Sequence, residues 1–201
     1  MSFFENTRKP VGFGGKLMVA MMNLGHSPVA RWGLQFLNAA PDAKVLDCGC
    51  GGGANIKRLL KKCPQGIVKG IDYSPISVEK SKKVNEAAIV EGRCAILQGS
   101  VADMMFADSR FDAATAFETV YFWPDLPQYF REVYRVLKPG GIFLICNESN
   151  GDTDKDEKWT EIIGGMIIYK DAELKAYLEQ AGFHDVQTHK KKSWLCITAR
   201  K

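Results

Sequence analysis

Short apolar runs alternate with stretches of helical periodicity through most of the chain. Residues 44–48, Lys-Val-Leu-Asp-Cys, read as a buried strand that ends in the glycine cluster 49–53. A helix is expected over 54–62, with Ile56, Leu59 and Leu60 sharing one face. A second strand covers 67–71 and is closed by Asp72 and a turn at Tyr73-Ser74-Pro75. Ser74 suits an N-cap and Pro75 a first helical position, so one helix is predicted to about residue 91. Strands three and four fall at 94–98 and 111–117. An amphipathic helix follows at 125–137, and Pro139-Gly140-Gly141 breaks it ahead of a fifth strand, 142–146. Strand and helix at this cadence predict an α/β fold, a doubly wound parallel sheet with helices on both faces.

The last third is different. A helix over 171–181 stops at Gly182, and the apolar runs 183–188 and 193–199 are joined by the short linker His189-Lys190-Lys191-Lys192, so they should pair antiparallel. Residues 1–41 have no place in the sheet and read as a helical cap, with helices at 16–24 and 28–37; the sheet domain takes 42–201. Met18, Met21 and Met22 could line a substrate pocket or cover the sheet edge as core. His26, between the two helices, could serve as a base or end a helix.

The chain has 201 residues, 46% hydrophobic and 25% charged, with a net charge of +4. That balance excludes a disordered or collagen-like chain, and so mild a charge gives no argument for nucleic acid. No apolar run approaches the roughly 20 residues that cross a bilayer, so no membrane partner is expected. The start, MSFFENTRKP, lacks the apolar stretch of a secretory signal. Six cysteines in scattered positions, with no C-x-x-C pair, suit a reduced cytoplasmic protein and no structural zinc. Asp152, Asp154 and Asp156 mimic the start of a calcium loop, but Glu157 and Ile163 stand where glycine and glutamate are needed. A solvated loop is expected there, and no metal.

The chemistry concentrates in Asp47-Cys48-Gly49-Cys50-Gly51-Gly52-Gly53, between a strand and a helix. Its glycines allow a sharp turn and close approach to a ligand, and the helix start would offer free amide donors at the carboxyl edge of the sheet. Gly49, Gly51 and Ala54 also satisfy the dinucleotide fingerprint, a weak pattern by itself. Asp47 tilts the choice, because a carboxylate pointing into the loop suits a cationic ligand better than a pyrophosphate. Asp72, at the tip of strand two, can accept hydrogen bonds from both hydroxyls of a ribose.

Val45-Leu46-Asp47-Cys48-Gly49-Cys50-Gly51-Gly52-Gly53, Gly70-Ile71-Asp72-Tyr73-Ser74 and Leu137-Lys138-Pro139-Gly140-Gly141 together resemble the class I S-adenosylmethionine (SAM)-dependent methyltransferases, in the small-molecule type with a methyltransferase-11/25-like domain. The resemblance covers roughly residues 42–201. It implies a seven-stranded Rossmann-like sheet whose last strand is inserted antiparallel. It also implies that Asp47 and the loop Cys48, Gly49, Cys50, Gly51 and Gly53 hold the methionine part of SAM. Asp72, with Tyr73, would meet the ribose, and Ser100 with Val101 the adenine. Phe117 and Glu118, ending strand four, would follow the cofactor and form one wall of the substrate site. Tyr121 and Trp123 could stack on substrate or simply pack the rim. Glu118, Tyr121 and His26 are the candidate catalytic groups.

The expected activity is in-line methyl transfer to a small molecule, giving S-adenosylhomocysteine, because little chain beyond the core is left to recognise a larger acceptor. No Asn-Pro-Pro-Tyr run follows strand four, which weakens the case for methylating base or amide nitrogens. A non-catalytic SAM-binding module and a nicotinamide-dependent oxidoreductase stay open as alternatives, and apolar residues of the N-terminal helices could mediate a homodimer.

Overall fold

The computed structural model describes residues 25–201, save the side chains of 154, 155 and 157. The expected helix at 16–24 and its three methionines lie outside the described residues. The described chain opens with α1 (Ser27–Gly33) and a 3-10 turn, Leu34–Phe36. Then come β1 (Lys44–Cys48), α2 (Ala54–Lys62), β2 (Ile67–Asp72), α3 (Pro75–Val84), α4 (Glu86–Val90) and β3 (Cys94–Gln98). β4 (Phe111–Phe117) leads through the 3-10 turn Val120–Phe122 into α5 (Leu126–Val136) and β5 (Leu137–Asn147). The chain ends with α6 (Asp154–Ile162), α7 (Asp171–Gln180), β6 (His184–Lys191) and β7 (Trp194–Arg200).

The seven strands form one sheet in the order β3-β2-β1-β4-β5-β7-β6. The pairs among β1 to β5 are parallel, and β7 runs antiparallel between β5 and β6. Each face is sealed by its own cluster. Leu46, Ala114, Phe143 and Ile145 pack with Phe130 and Val133 of α5 and with Leu174 and Leu178 of α7. On the other face Val45, Val68, Leu144 and Cys146 pack with Val29 and Ala30 of α1 and with Ile56 and Leu59 of α2. Each fully buried Leu, Ile or Phe contributes roughly 1.5–3 kcal/mol relative to exposure, and the period-2 alternation along β5 divides its side chains between the two clusters. The thiols of Cys146 and Cys196 donate to the carbonyls of Val29 (3.5 Å) and Gly33 (3.9 Å), tying α1 to β5 and β7.

Two expectations about helices are corrected. The single helix predicted from Pro75 to about residue 91 is two, broken at Asn85, whose side-chain amide donates to the carbonyls of Gly53 (3.0 Å) and Ser81 (2.9 Å). Anchoring the glycine loop from below outweighs helix continuity there. The segment expected as a solvated loop contains α6, because Thr153 and Asp156 cap its first turn reciprocally. Among the described residues no helix is long and apolar enough to cross a membrane.

Candidate functional site

The carboxyl ends of β1, β2 and β4 meet where the sheet order reverses, the place where open α/β sheets bind ligands. The loop after β1 turns there by taking Gly49 (φ +71°) and Gly51 (φ +50°) into the left-handed region. A Cβ on Gly49 would run into the Thr119 side chain, whereas one on Gly51 would meet nothing within 4 Å and so would project into open space.

Four of the loop amides are bonded within the protein. The N–H groups of Gly49 (2.8 Å) and Cys50 (3.1 Å) donate to the Ile71 carbonyl, that of Gly53 to Cys50 (3.0 Å), and that of Gly51 to Asp72 Oδ2 (2.8 Å). These four donors are therefore not offered to a ligand. Cys48 and Cys50 point their side chains into opposite core clusters, where burial pushes both thiols well above their ordinary pKa and keeps them neutral.

Asp47 does not stand open in front of the turn. It is 1% exposed, beneath the loop, and its Oδ1 accepts the Thr115 hydroxyl at 2.7 Å. Burial pushes its carboxyl up to about 7; the Thr115 bond opposes this, and the Asp72 charge adds to it. Asp72 is 7% exposed, with Oδ2 taken by Gly51 and Oδ1 accepting the Ser74 N–H at 2.9 Å. Burial raises its pKa against those two bonds. Each oxygen keeps a further lone pair, so the amides leave Asp72 able to accept from a ligand. Tyr73 beside it is exposed, as is Ser100, whose Oγ accepts the Ala102 N–H at 3.1 Å, while Val101 lies in the core.

On the other side of the loop β4 ends in Phe117, packed beneath α1, and then Glu118 with φ +55°, a conformation costing roughly 1–2 kcal/mol for a residue with a Cβ. Glu118 Oε1 accepts the Glu148 N–H, and Oε2 lies 3.6 Å from His26 Nδ1. Glu148 Oε2 lies 3.4 Å from the same nitrogen. Burial raises the Glu118 carboxyl to about 7; His26 opposes the rise and Glu148 supports it. For His26 burial disfavours the imidazolium, but the two carboxylates outweigh it and the pKa rises. The Tyr121 hydroxyl is bonded to the Ser149 backbone, accepting its N–H at 2.9 Å, and burial pushes the phenol well above its usual value. Thus His26, Glu118 and Tyr121 gather at one corner of the sheet. Trp123 does not join them; it is buried and stacked on Tyr129, 5.0 Å between ring centroids. The sequence reading missed Glu148, although the alternation that puts Ile142, Leu144 and Cys146 on the α1 face would, if continued, bring it there.

Acidic groups lie beneath and beside an open glycine turn whose Gly49, Cys50, Gly51 and Gly53 amides are bonded inside the protein, an arrangement suited to a cationic group and a diol. A family model described as a methyltransferase domain matches residues 46–145. "Sterol methyltransferase-like 2" of Botryococcus braunii is 37% identical over 131 residues, 63% of this chain and 33% of that protein. The chain thus spans about a third of the length of the curated relatives it matches. A chain from the Haloferax volcanii complex of the Trm112 methyltransferase activator with its methyltransferase superposes with a TM-score of 0.83 at 20% identity, covering 92% of this chain and 93% of that one. Human N-acetylserotonin methyltransferase in complex with SAM gives 0.78 at 18% identity, over 94% of this chain and 56% of that one. These matches, with the strand order and the loop after β1, establish that the chain belongs to the class I SAM-dependent methyltransferases.

Proposed function

We propose that the chain transfers the methyl group of SAM to a small-molecule acceptor. The observation that carries this reading is the open space over Gly51, flanked by Asp72 and floored by Asp47, with the amides of Gly49, Cys50, Gly51 and Gly53 bonded inside the protein. When bound, SAM supplies an electrophilic methyl on a sulfonium. The protein's contribution is alignment and charge, and alignment alone can supply several kcal/mol. Asp72 accepts from the ribose hydroxyls with the lone pairs its amide bonds leave over. Asp47 sets a negative potential under the loop that favours a cation. Tyr73 lies beside the ribose, and Ser100 and Val101 border the adenine end. Phe117 and Glu118 separate cofactor from acceptor, and Glu118, His26 and Tyr121 form the acceptor wall. There Glu118, with a carboxyl that titrates near neutrality, can hold or release a proton. The six cysteines are free thiols, which suits a reducing cytoplasm.

An S-adenosylhomocysteine release assay against pooled thiols, amines, phenols, carboxylates and isoprenoid olefins tests the reading. Turnover with at least one pool is expected. Tight binding of S-adenosylhomocysteine without turnover in any pool would mark a binding module instead.

A further inference from the structure

Three side chains far apart in sequence converge beside the glycine loop. His26 comes from the residue before α1, Glu118 from the residue after β4 and Glu148 from the residue after β5. One ligand atom from each lies within 4.8 Å of the other two, and His26 Nδ1 is 3.4 Å and 3.6 Å from the two carboxylate oxygens. A formed N–H···O bond spans about 2.7–3.2 Å, so neither approach is one. Nδ1 is also closed off from solvent and has no other hydrogen-bond partner among the described residues. The imidazole therefore aims a solvent-shielded nitrogen, with no formed hydrogen bond, at the gap between two carboxylates.

That spacing is compatible with a shared cation. Nitrogen and oxygen donors about 2.0–2.2 Å from a zinc ion stand roughly 3–3.5 Å from one another in a tetrahedral or facial set. The outer bond that ligating carboxylates generally make is present: the Glu148 N–H holds Glu118 Oε1 and leaves Oε2 turned towards His26. One imidazole with two carboxylates selects a first-row divalent ion over calcium or magnesium. The Cys146 thiol on the same face is committed to the Val29 carbonyl and is not in the donor set.

We propose that His26 Nδ1, Glu118 and Glu148 bind one divalent transition-metal ion of the zinc type at the acceptor end of the site. Three protein ligands leave a coordination position open, as in catalytic zinc sites. The ligand that fits it is an acceptor bearing a thiol or hydroxyl, which gives up its proton to solvent past the half-exposed Glu148 on coordination. The acceptor lone pair then forms the bond to the methyl carbon as the carbon–sulfonium bond breaks, and that electron pair stays on sulfur. The acceptor class rests on the methyl-transfer reading; the metal site does not.

The test titrates Co2+ into the metal-free full chain, followed by visible absorption and by equilibrium dialysis with elemental analysis. S-Adenosylhomocysteine affinity is measured in parallel by calorimetry. About one ion per chain is expected, with Glu148→Gln and His26→Gln each weakening it at least about tenfold and Glu148→Gln leaving S-adenosylhomocysteine affinity within about twofold. Glu148 is 37% exposed in its side chain, so its replacement reports on the metal even if His26→Gln fails to fold. A chain that binds S-adenosylhomocysteine but no Co2+, or Co2+ binding unchanged in Glu148→Gln, overturns the site. Co2+ binding lost in Glu148→Gln, in a chain that never binds S-adenosylhomocysteine, supports the site and overturns the methyl-transfer reading with its acceptor class.

Discussion

Replacing Asp47 by asparagine isolates the energetic consequence of keeping a carboxylate under the glycine loop. The side chain is 1% exposed, and its hydrogen bond from the Thr115 hydroxyl can be kept by an amide oxygen. Burial moves the carboxyl from 3.8 to about 7, a displacement that corresponds to at most about 4 kcal/mol. Because the native pKa is the higher one, the folded chain retains a proton that the unfolded chain has already released. Below pH ~4 both states are protonated and the group costs nothing. Between about 4 and 7 folding loses ground as pH rises, and above 7 the whole cost is present. Asp47→Asn is therefore expected to be more stable than the wild type at pH 8, by up to about 4 kcal/mol, with the gap closing as pH falls towards 4. Urea unfolding of both proteins at several pH values, with stability compared at equal pH, measures it. A gap that is constant with pH, or that widens in acid, would refute the placement of Asp47 as a buried carboxylate. The same variant should bind SAM more weakly at pH 8, since the negative potential under the loop is gone.

Asp72→Ala removes a charged acceptor whose bonds are each worth about 1.5–3 kcal/mol, so calorimetry should show S-adenosylhomocysteine affinity falling at least tenfold; unaltered affinity would put the ribose elsewhere. Gly51→Leu places a side chain in the open space over the loop at φ +50°. It should lose roughly 1–2 kcal/mol of stability yet remain folded by circular dichroism, with cofactor binding abolished; retained binding would count against the cradle. In the metal-free chain, turnover should rise with pH through about 7 as Glu118 ionises, and Glu118→Gln should lower the rate and flatten that limb, so an unchanged pH–rate profile would remove Glu118 from the acceptor chemistry.

The sheet was legible because β1, β4 and the end of β5 are buried on both faces and appear as short apolar runs interrupted only by Asp47, Asp112 and Thr115, which no amphipathic helix produces. The glycine loop and Asp72 were legible because turn chemistry is local. What escaped was tertiary. Asn85 breaks a helix only because Gly53, far away in sequence, presents it with a carbonyl. Asp47 looks like an open carboxylate in a strand-loop motif, and only the Thr115 hydroxyl across the sheet explains how it is buried. Trp123 sits in an aromatic segment that suggests a substrate wall, but Tyr129 and Phe130, one helix later, draw it into the core. Glu148 carries no motif at all; it matters because the ends of three elements meet where α1 is tied to β5.

Direct calorimetric titration of the wild-type chain with S-adenosylhomocysteine, set against the same titration with a nicotinamide dinucleotide, decides between a turn built for a sulfur-centred nucleoside and one built for a diphosphate. Saturable heat at one equivalent from the former, and none from the latter, is the outcome expected of four inward-bonded amides and two buried aspartates. Heat from the dinucleotide alone, or from neither compound, would contradict it.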